Sequence, residues 1–196
     1  MVSTMPAYNT ANRIYRLLLL ALVFMPTATF AESFSVQSAE ITKIGNGYAL
    51  DAQLNYPLTA RVEEAIDNGV PITFLQQMEL IHSLPLLGKY WQWQQTLWQS
   101  ELRYQLRYHA LTRQYVLLSL DTREHRNFPS LTSALDALGQ VNNFSLPPEY
   151  LTDTDGLILQ LRTSLDLYAL PTPMRPGALI SSKWDLTSPW VAATWH

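Results

Sequence analysis

Strict two-residue alternation constrains this chain more than any other feature. Leu157, Leu159, Leu161, Thr163, Leu165 and Leu167 alternate with Gln160, Arg162, Ser164 and Asp166. Successive strand side chains point to opposite faces, so this pattern seats one face in a core and leaves the other wet; helical geometry would scatter the same leucines around its axis. The pattern recurs. Leu102, Tyr104, Leu106 and Tyr108 face one way, and Glu101, Arg103, Gln105, Arg107 and His109 the other. Tyr48, Leu50, Ala52, Leu54 and Tyr56 alternate with Ala49, Asp51, Gln53 and Asn55.

Shorter signals fill the gaps. A run through Phe34, Val36, Ile41 and Ile44 ends at Asn46-Gly47, which predicts a hairpin turn. Val70, Ile72, Phe74 and Met78 read as one strand face over Val70 to Ile81, with Pro71 favouring an edge or a strand start. Pro85 and Gly88 break the chain; beyond Tyr90, Trp91, Trp93 and Leu97 share a face. Gln114 to Leu120 reads as a buried strand. Two short helices are expected. Thr59 caps one, with Val62, Ala65 and Ile66 inward and Gly69 as a left-handed stop; Ser130 caps the other, with Leu131, Ala134, Leu135 and Leu138 inward and Gly139 closing it. Pro171, Pro173 and Pro176 enforce an extended connection to a last extended run, Ala178 to Trp195. Sequential strands with so few helices favour a mainly β fold, an antiparallel β-sandwich with two short helical insertions, because a parallel sheet needs a crossover at each step.

The N-terminus reads differently. Asn12, Arg13, Tyr15 and Arg16 form a positive segment before the nine-residue apolar run Leu17–Met25, and small residues lead to Ala31 ahead of Glu32. That is the layout of a secretory signal with cleavage after Ala31. The alternative, retention of residues 13–29 as a membrane anchor, suffers from length: the apolar run covers only about 14 Å of a hydrocarbon core of about 30 Å. The expected organisation is therefore a signal over residues 1–31 and one β-rich domain over 32–196, in a periplasmic protein. Removal of Arg13 and Arg16 leaves 11 basic residues against 16 acidic ones, moving the net charge from −3 to −5. A chain with no cysteine excludes thiol catalysis, redox exchange and thiolate metal sites, and must hold itself together by packing in an oxidising compartment. A pI near 5.8 removes the basic footprint of a nucleic-acid binder.

Few residue patterns carry chemistry. The Arg103, Gln105, Arg107 and His109 face, with Arg113, Arg123 and Arg126 nearby, has the spacing to cradle a carboxylate, a phosphate or an acidic partner. It reads first as a solvated sheet face balanced by Glu101, Asp121 and Glu124, since one face of an antiparallel sheet commonly meets water. His82, His109, His125 and His196 lack metal-ligand spacing, and Asp153-Thr154-Asp155-Gly156 is a turn rather than a calcium loop. Ser181-Ser182-Lys183 lacks the spacing of a serine nucleophile with a lysine base. Neither a catalytic residue nor a metal or cofactor is assigned. Trp91, Trp93 and Trp98 beside Tyr90, Tyr104 and Tyr108 offer either a core or a groove for a small apolar or sugar ligand.

The segments YHALTRQYVL, SLTSALDALG and LRTSLDLYALPTPMRPGALISSKWDLTSPW resemble the bacterial family called domain of unknown function 4390. Tyr108, His109, Leu111, Thr112 and Tyr115 lie on the first; Arg162, Leu170, Pro171, Pro173, Arg175, Ser182, Trp184, Ser188 and Trp190 lie on the last. The resemblance implies a signal followed by one domain and an envelope accessory to a nitrogen-regulation-type membrane sensor kinase, with no catalyst among these positions. The expectation is a non-enzymatic exported interaction module that contacts a membrane or envelope protein through Arg103, Arg107, His109, Arg162, Arg175, Trp184 and Trp190. A periplasmic carrier or receptor for a small ligand is the alternative.

Overall fold

The protein is described by a computed structural model covering residues 33–85, 92–151 and 154–196. The expected signal segment, Tyr90, Trp91 and Asp153 lie outside the described residues.

Two sheets form the domain. β1 (Ser35–Ile44) and β2 (Gly47–Asn55) make a hairpin, flanked by β7 (Gln140–Ser145) and by the two-residue strand β10 (Thr194–Trp195), in the order β10-β1-β2-β7. The second sheet holds β3 (Ile72–Pro85), β4 (Gln92–His109), β5 (Gln114–Ser119), β6 (His125–Phe128), β8 (Leu157–Leu165) and β9 (Val191–Ala192), in the order β6-β5-β4-β3-β8-β9. Every pairing is antiparallel except that of β1 with β10. The mainly β, antiparallel architecture expected from the alternation is the one observed.

The inner faces meet at an aromatic cluster. Phe34 stands edge-on to Tyr56 at 4.9 Å and stacks on Phe74 at 5.9 Å, while Tyr56 meets Phe74 edge-on at 5.4 Å. These rings join the first sheet to the second, and Ile41, Leu50, Leu106, Leu117, Leu159 and Leu161 close the core around them. The helices α1 (Ala60–Asp67) and α2 (Leu131–Gly139) bury Val62, Ala65 and Ile66 and Ala134 and Leu138 respectively. Ser130 and Ser133 form a reciprocal cap at the start of α2.

Several local expectations are corrected. The β1–β2 turn occupies Gly45 and Asn46, one residue early, because Gly45 supplies the left-handed φ of 60° that the turn requires. Thr59 does sit at the head of α1, yet its hydroxyl donates 2.8 Å to the Lys183 carbonyl instead of capping the helix. Gly139 closes α2 as expected, with a further reason to be glycine: a Cβ there would collide with the Leu54 carbonyl oxygen, so the glycine permits α2 to lie against β2. β6 and β7, which carry little apolar alternation, complete the two sheets. Leu167 leaves the strand for a short turn, Leu167–Ala169, whose Tyr168 and Ala169 amides donate to the Asp166 carboxylate at 3.0 and 3.1 Å.

The C-terminal run is not extended as expected. It contains a short helix, α3 (Arg175–Leu179), and only the brief strands β9 and β10. Pro176 lies in the first turn of α3, where its locked φ favours the helix and its missing donor goes unmissed.

Candidate functional site

Alternation along β4 puts Glu101, Arg103, Gln105, Arg107 and His109 on the outer face of the six-stranded sheet, opposite the core. The register then decides which side chains meet. Gln77 on β3 lies opposite Glu101 on one side and Arg162 of β8 on the other. Its amide donates 2.9 Å to the Glu101 carboxylate, and its carbonyl oxygen accepts from Arg162 Nε at 2.8 Å. Arg103 closes one end through Nε and Nη2, both 2.7 Å from Glu101 Oε1. At the other end the Arg162 guanidinium lies 4.5 Å from the centre of the Trp190 ring.

Arg103, Glu101, Gln77, Arg162 and Trp190 thus form one connected rung across β4, β3, β8 and the approach to β9. The hydrogen bond from Arg103 to the Glu101 carboxylate raises the guanidinium pKa further. A second rung pairs Gln160 with Glu79 at 3.1 Å. Between the rungs lies a shallow depression of about 190 Å³, lined by Gln77, Glu79, Gln99, Ser100 and Glu101.

Arg107 is in a different situation. It is exposed and makes no ion pair among the described residues. With Gln105 and His125 it borders a depression of about 300 Å³ whose floor is Val116 and Leu118 of β5, both half-buried. A guanidinium over an apolar floor takes an anionic or carbonyl group together with a neighbouring apolar side chain.

The expected contact residues therefore divide. Arg103, Arg107, Arg162 and Trp190 share the outer face. His109, half-buried at the end of β4, has Nδ1 3.2 Å from the Thr112 hydroxyl. Arg175 turns inward and donates 2.7 Å to the Leu170 carbonyl, tying the proline-rich connection together. Trp184 is corrected outright as a surface contact: only 5% exposed, it belongs to the core cluster. Trp98, Tyr104 and Tyr108 are half-buried; Trp98 packs 6.3 Å from Phe144 and Tyr108 packs 5.0 Å from Tyr115, so these rings fill space between elements.

Glu101 was legible as a balancing charge because it lies two residues from Arg103 on the same strand; Gln77 as the partner of Arg162, and Glu79 as that of Gln160, were not, since pairing across strands depends on register. Among the described residues, no group of three or more histidine, aspartate or glutamate side chains is placed to hold a metal. No described helix is long and apolar enough to cross a membrane.

The fold and this face define a two-sheet β domain with a hydrogen-bonded polar outer surface. The chain belongs to the family described as Domain of unknown function (DUF4390), whose model matches residues 31–194. No curated protein and no solved structure matches it.

Proposed function

We propose that this protein is an exported, non-enzymatic interaction module of the cell envelope, which docks a membrane protein, such as a sensor kinase, on the outer face of its six-stranded sheet. One observation carries the reading: Arg107 stands exposed and without an ion pair among the described residues, beside Val116 and Leu118, while Arg103 and Arg162 on the same face are engaged by neighbours. Arg107 offers an uncommitted charge beside apolar area, the combination found at interface anchors. The complementary partner surface is an acidic segment with an apolar side chain next to the acid.

Site-specific photo-crosslinking in the native host tests this. A crosslinker at position 107 should capture a membrane protein, and one at Trp190, on the rim of the same face, should capture it more weakly. A crosslinker at Thr42, exposed on the other sheet, should not. Recovery of no membrane protein from position 107, or equal recovery from position 42, would overturn the proposal.

A further inference from the structure

β4 outruns β5. Its residues 104–109 pair with β5, whereas residues 94–102 pair with β3 alone, and no strand lies along their other edge among the described residues. Register sets how the backbone presents that edge. Arg103 turns both its groups away from β3: its N–H donates 2.8 Å to the Asp121 carboxylate, and its carbonyl accepts from the Leu120 amide at 2.8 Å. Alternation turns Glu101 and Gln99 the same way. Leu97 is an extra residue, since Trp98 lies opposite Leu80 and Thr96 opposite Ile81; beyond it, Thr96 and Gln94 take the open side.

An open strand edge is a template for another strand, and β proteins blunt it with charge, proline or a covering element. The outer edges of this sheet are blunted. β6 carries His125 and Arg126, with Arg126 donating to the Ala137 carbonyl of α2, and β9 is only two residues long. Residues 94–100, in contrast, read Gln-Gln-Thr-Leu-Trp-Gln-Ser, without charge or proline. Gln94, Gln95, Thr96 and Gln99 are exposed, while Leu97 and Trp98 pack against the core. The nearest charge, on Glu101, is already held by Arg103 and Gln77.

We infer that a second copy of this chain pairs along this edge, antiparallel, about a two-fold axis between Leu97 and Trp98. The extra residue fixes that axis, because it puts positions 94 and 96 on the open side below it and 99 and 101 above it. Gln99 then meets Thr96 of the second copy, Gln95 meets Ser100, and Gln94 meets Glu101. Each pair sets an amide side chain against a hydroxyl or a carboxylate, and no like charges face each other. About eight backbone hydrogen bonds are exchanged in this register. Such an isologous contact demands a self-complementary strand, and this one is. The edge lies apart from the Arg107 face, so this inference and the proposed function stand or fall separately.

Sedimentation equilibrium of the protein purified from its native host should show a monomer–dimer equilibrium with a Kd below about 100 μM. Thr96→Lys with Gln99→Lys sets ammonium groups opposite each other and should weaken the dimer at least about tenfold. Thr96→Glu with Gln99→Lys sets opposite charges in the same two pairs and should restore it, a recovery that association through another surface would not produce. Dilute samples of both variants should keep the wild-type melting temperature, because both side chains are exposed in the single chain. If the lysine pair fails to fold, Gln99→Pro takes its place, removing one donor from the open edge and none from the β3 ladder. A monomer up to about 100 μM, a dimer that the lysine pair or the proline leaves intact, or no recovery with Thr96→Glu and Gln99→Lys overturns the inference.

Discussion

Gln76 on β3 donates its side-chain amide to the Tyr56 hydroxyl at 2.9 Å, linking the two sheets by a polar contact inside the core. The same amide donates to the Leu138 carbonyl of α2, also at 2.9 Å, and this sets its orientation, because a flipped amide would turn its oxygen on that carbonyl. Thr163 on β8 has one proton, which it gives to the Leu75 carbonyl at 2.9 Å. The Tyr56 proton then goes to Thr163 Oγ1 at 3.0 Å, so the bonds run in one direction from Gln76 through Tyr56 and Thr163 to Leu75. Burial holds the Tyr56 phenol well above its ordinary pKa, partly offset by the hydrogen bond it accepts from Gln76.

Tyr56→Phe should therefore destabilise the domain by about 1–3 kcal/mol, since it leaves Thr163 and one Gln76 donor short of partners in a dry core. Urea denaturation at neutral pH measures this. A change below a few tenths of a kcal/mol would show that water already satisfies these groups.

The two tail tryptophans should behave unequally. Trp184→Ala empties a core position and should cost about 3–5 kcal/mol. Trp190→Ala removes a half-buried ring from the Arg162 guanidinium and should cost only about 1 kcal/mol. Thermal melts of the two variants side by side decide it; equal shifts would remove Trp184 from the core.

Gly139→Ala introduces one methyl group, yet it should cost about 1–3 kcal/mol, because the added carbon meets the Leu54 backbone carbonyl rather than a movable side chain. Equilibrium unfolding of this variant, with Gly177→Ala as the unhindered control, separates close approach from general glycine entropy.

Tyr115 donates 2.7 Å to the Asp67 carboxylate at the end of α1. That hydrogen bond, with smaller contributions from burial and from the Asp67 charge, pushes the phenol from 10.0 up to about 12. A raised pKa favours the protonated form in the folded state. The stability it contributes is fully present below about pH 10 and is lost as pH rises through about 12. Ultraviolet difference titration should show this tyrosine ionising late, and Asp67→Asn should bring it back towards 10. An unchanged titration in the variant would mean that the bond does not form in solution.

What was legible in the sequence follows from local rules. Alternation through β2, β4 and β8 named their buried faces correctly, since strand geometry sends odd and even residues to opposite sides whatever the neighbours are. The apolar faces of α1 and α2 followed from helical spacing for the same reason. β6 and β7 escaped notice because His125–Phe128 and Gln140–Ser145 carry little apolar alternation; they are strands by virtue of the edges they pair with.

The candidate site divides along the same line. Composition and period alone put Arg103, Arg107 and His109 on a common polar face and made an exported, staple-free core the expectation for a chain without cysteine. Only the tertiary structure decided how those charges are engaged across strands, because register across β4, β3 and β8 delivers Gln77 to both Glu101 and Arg162, while register between β4 and β5 sets Arg107 beside Val116 and Leu118. It also decided that Trp184 is core and that Thr59 and Lys183 are neighbours, although 124 residues separate them in the chain. Periodicity reports which way a side chain points, whereas its partners come from segments far away in sequence, and their identity is settled only when the sheets pack.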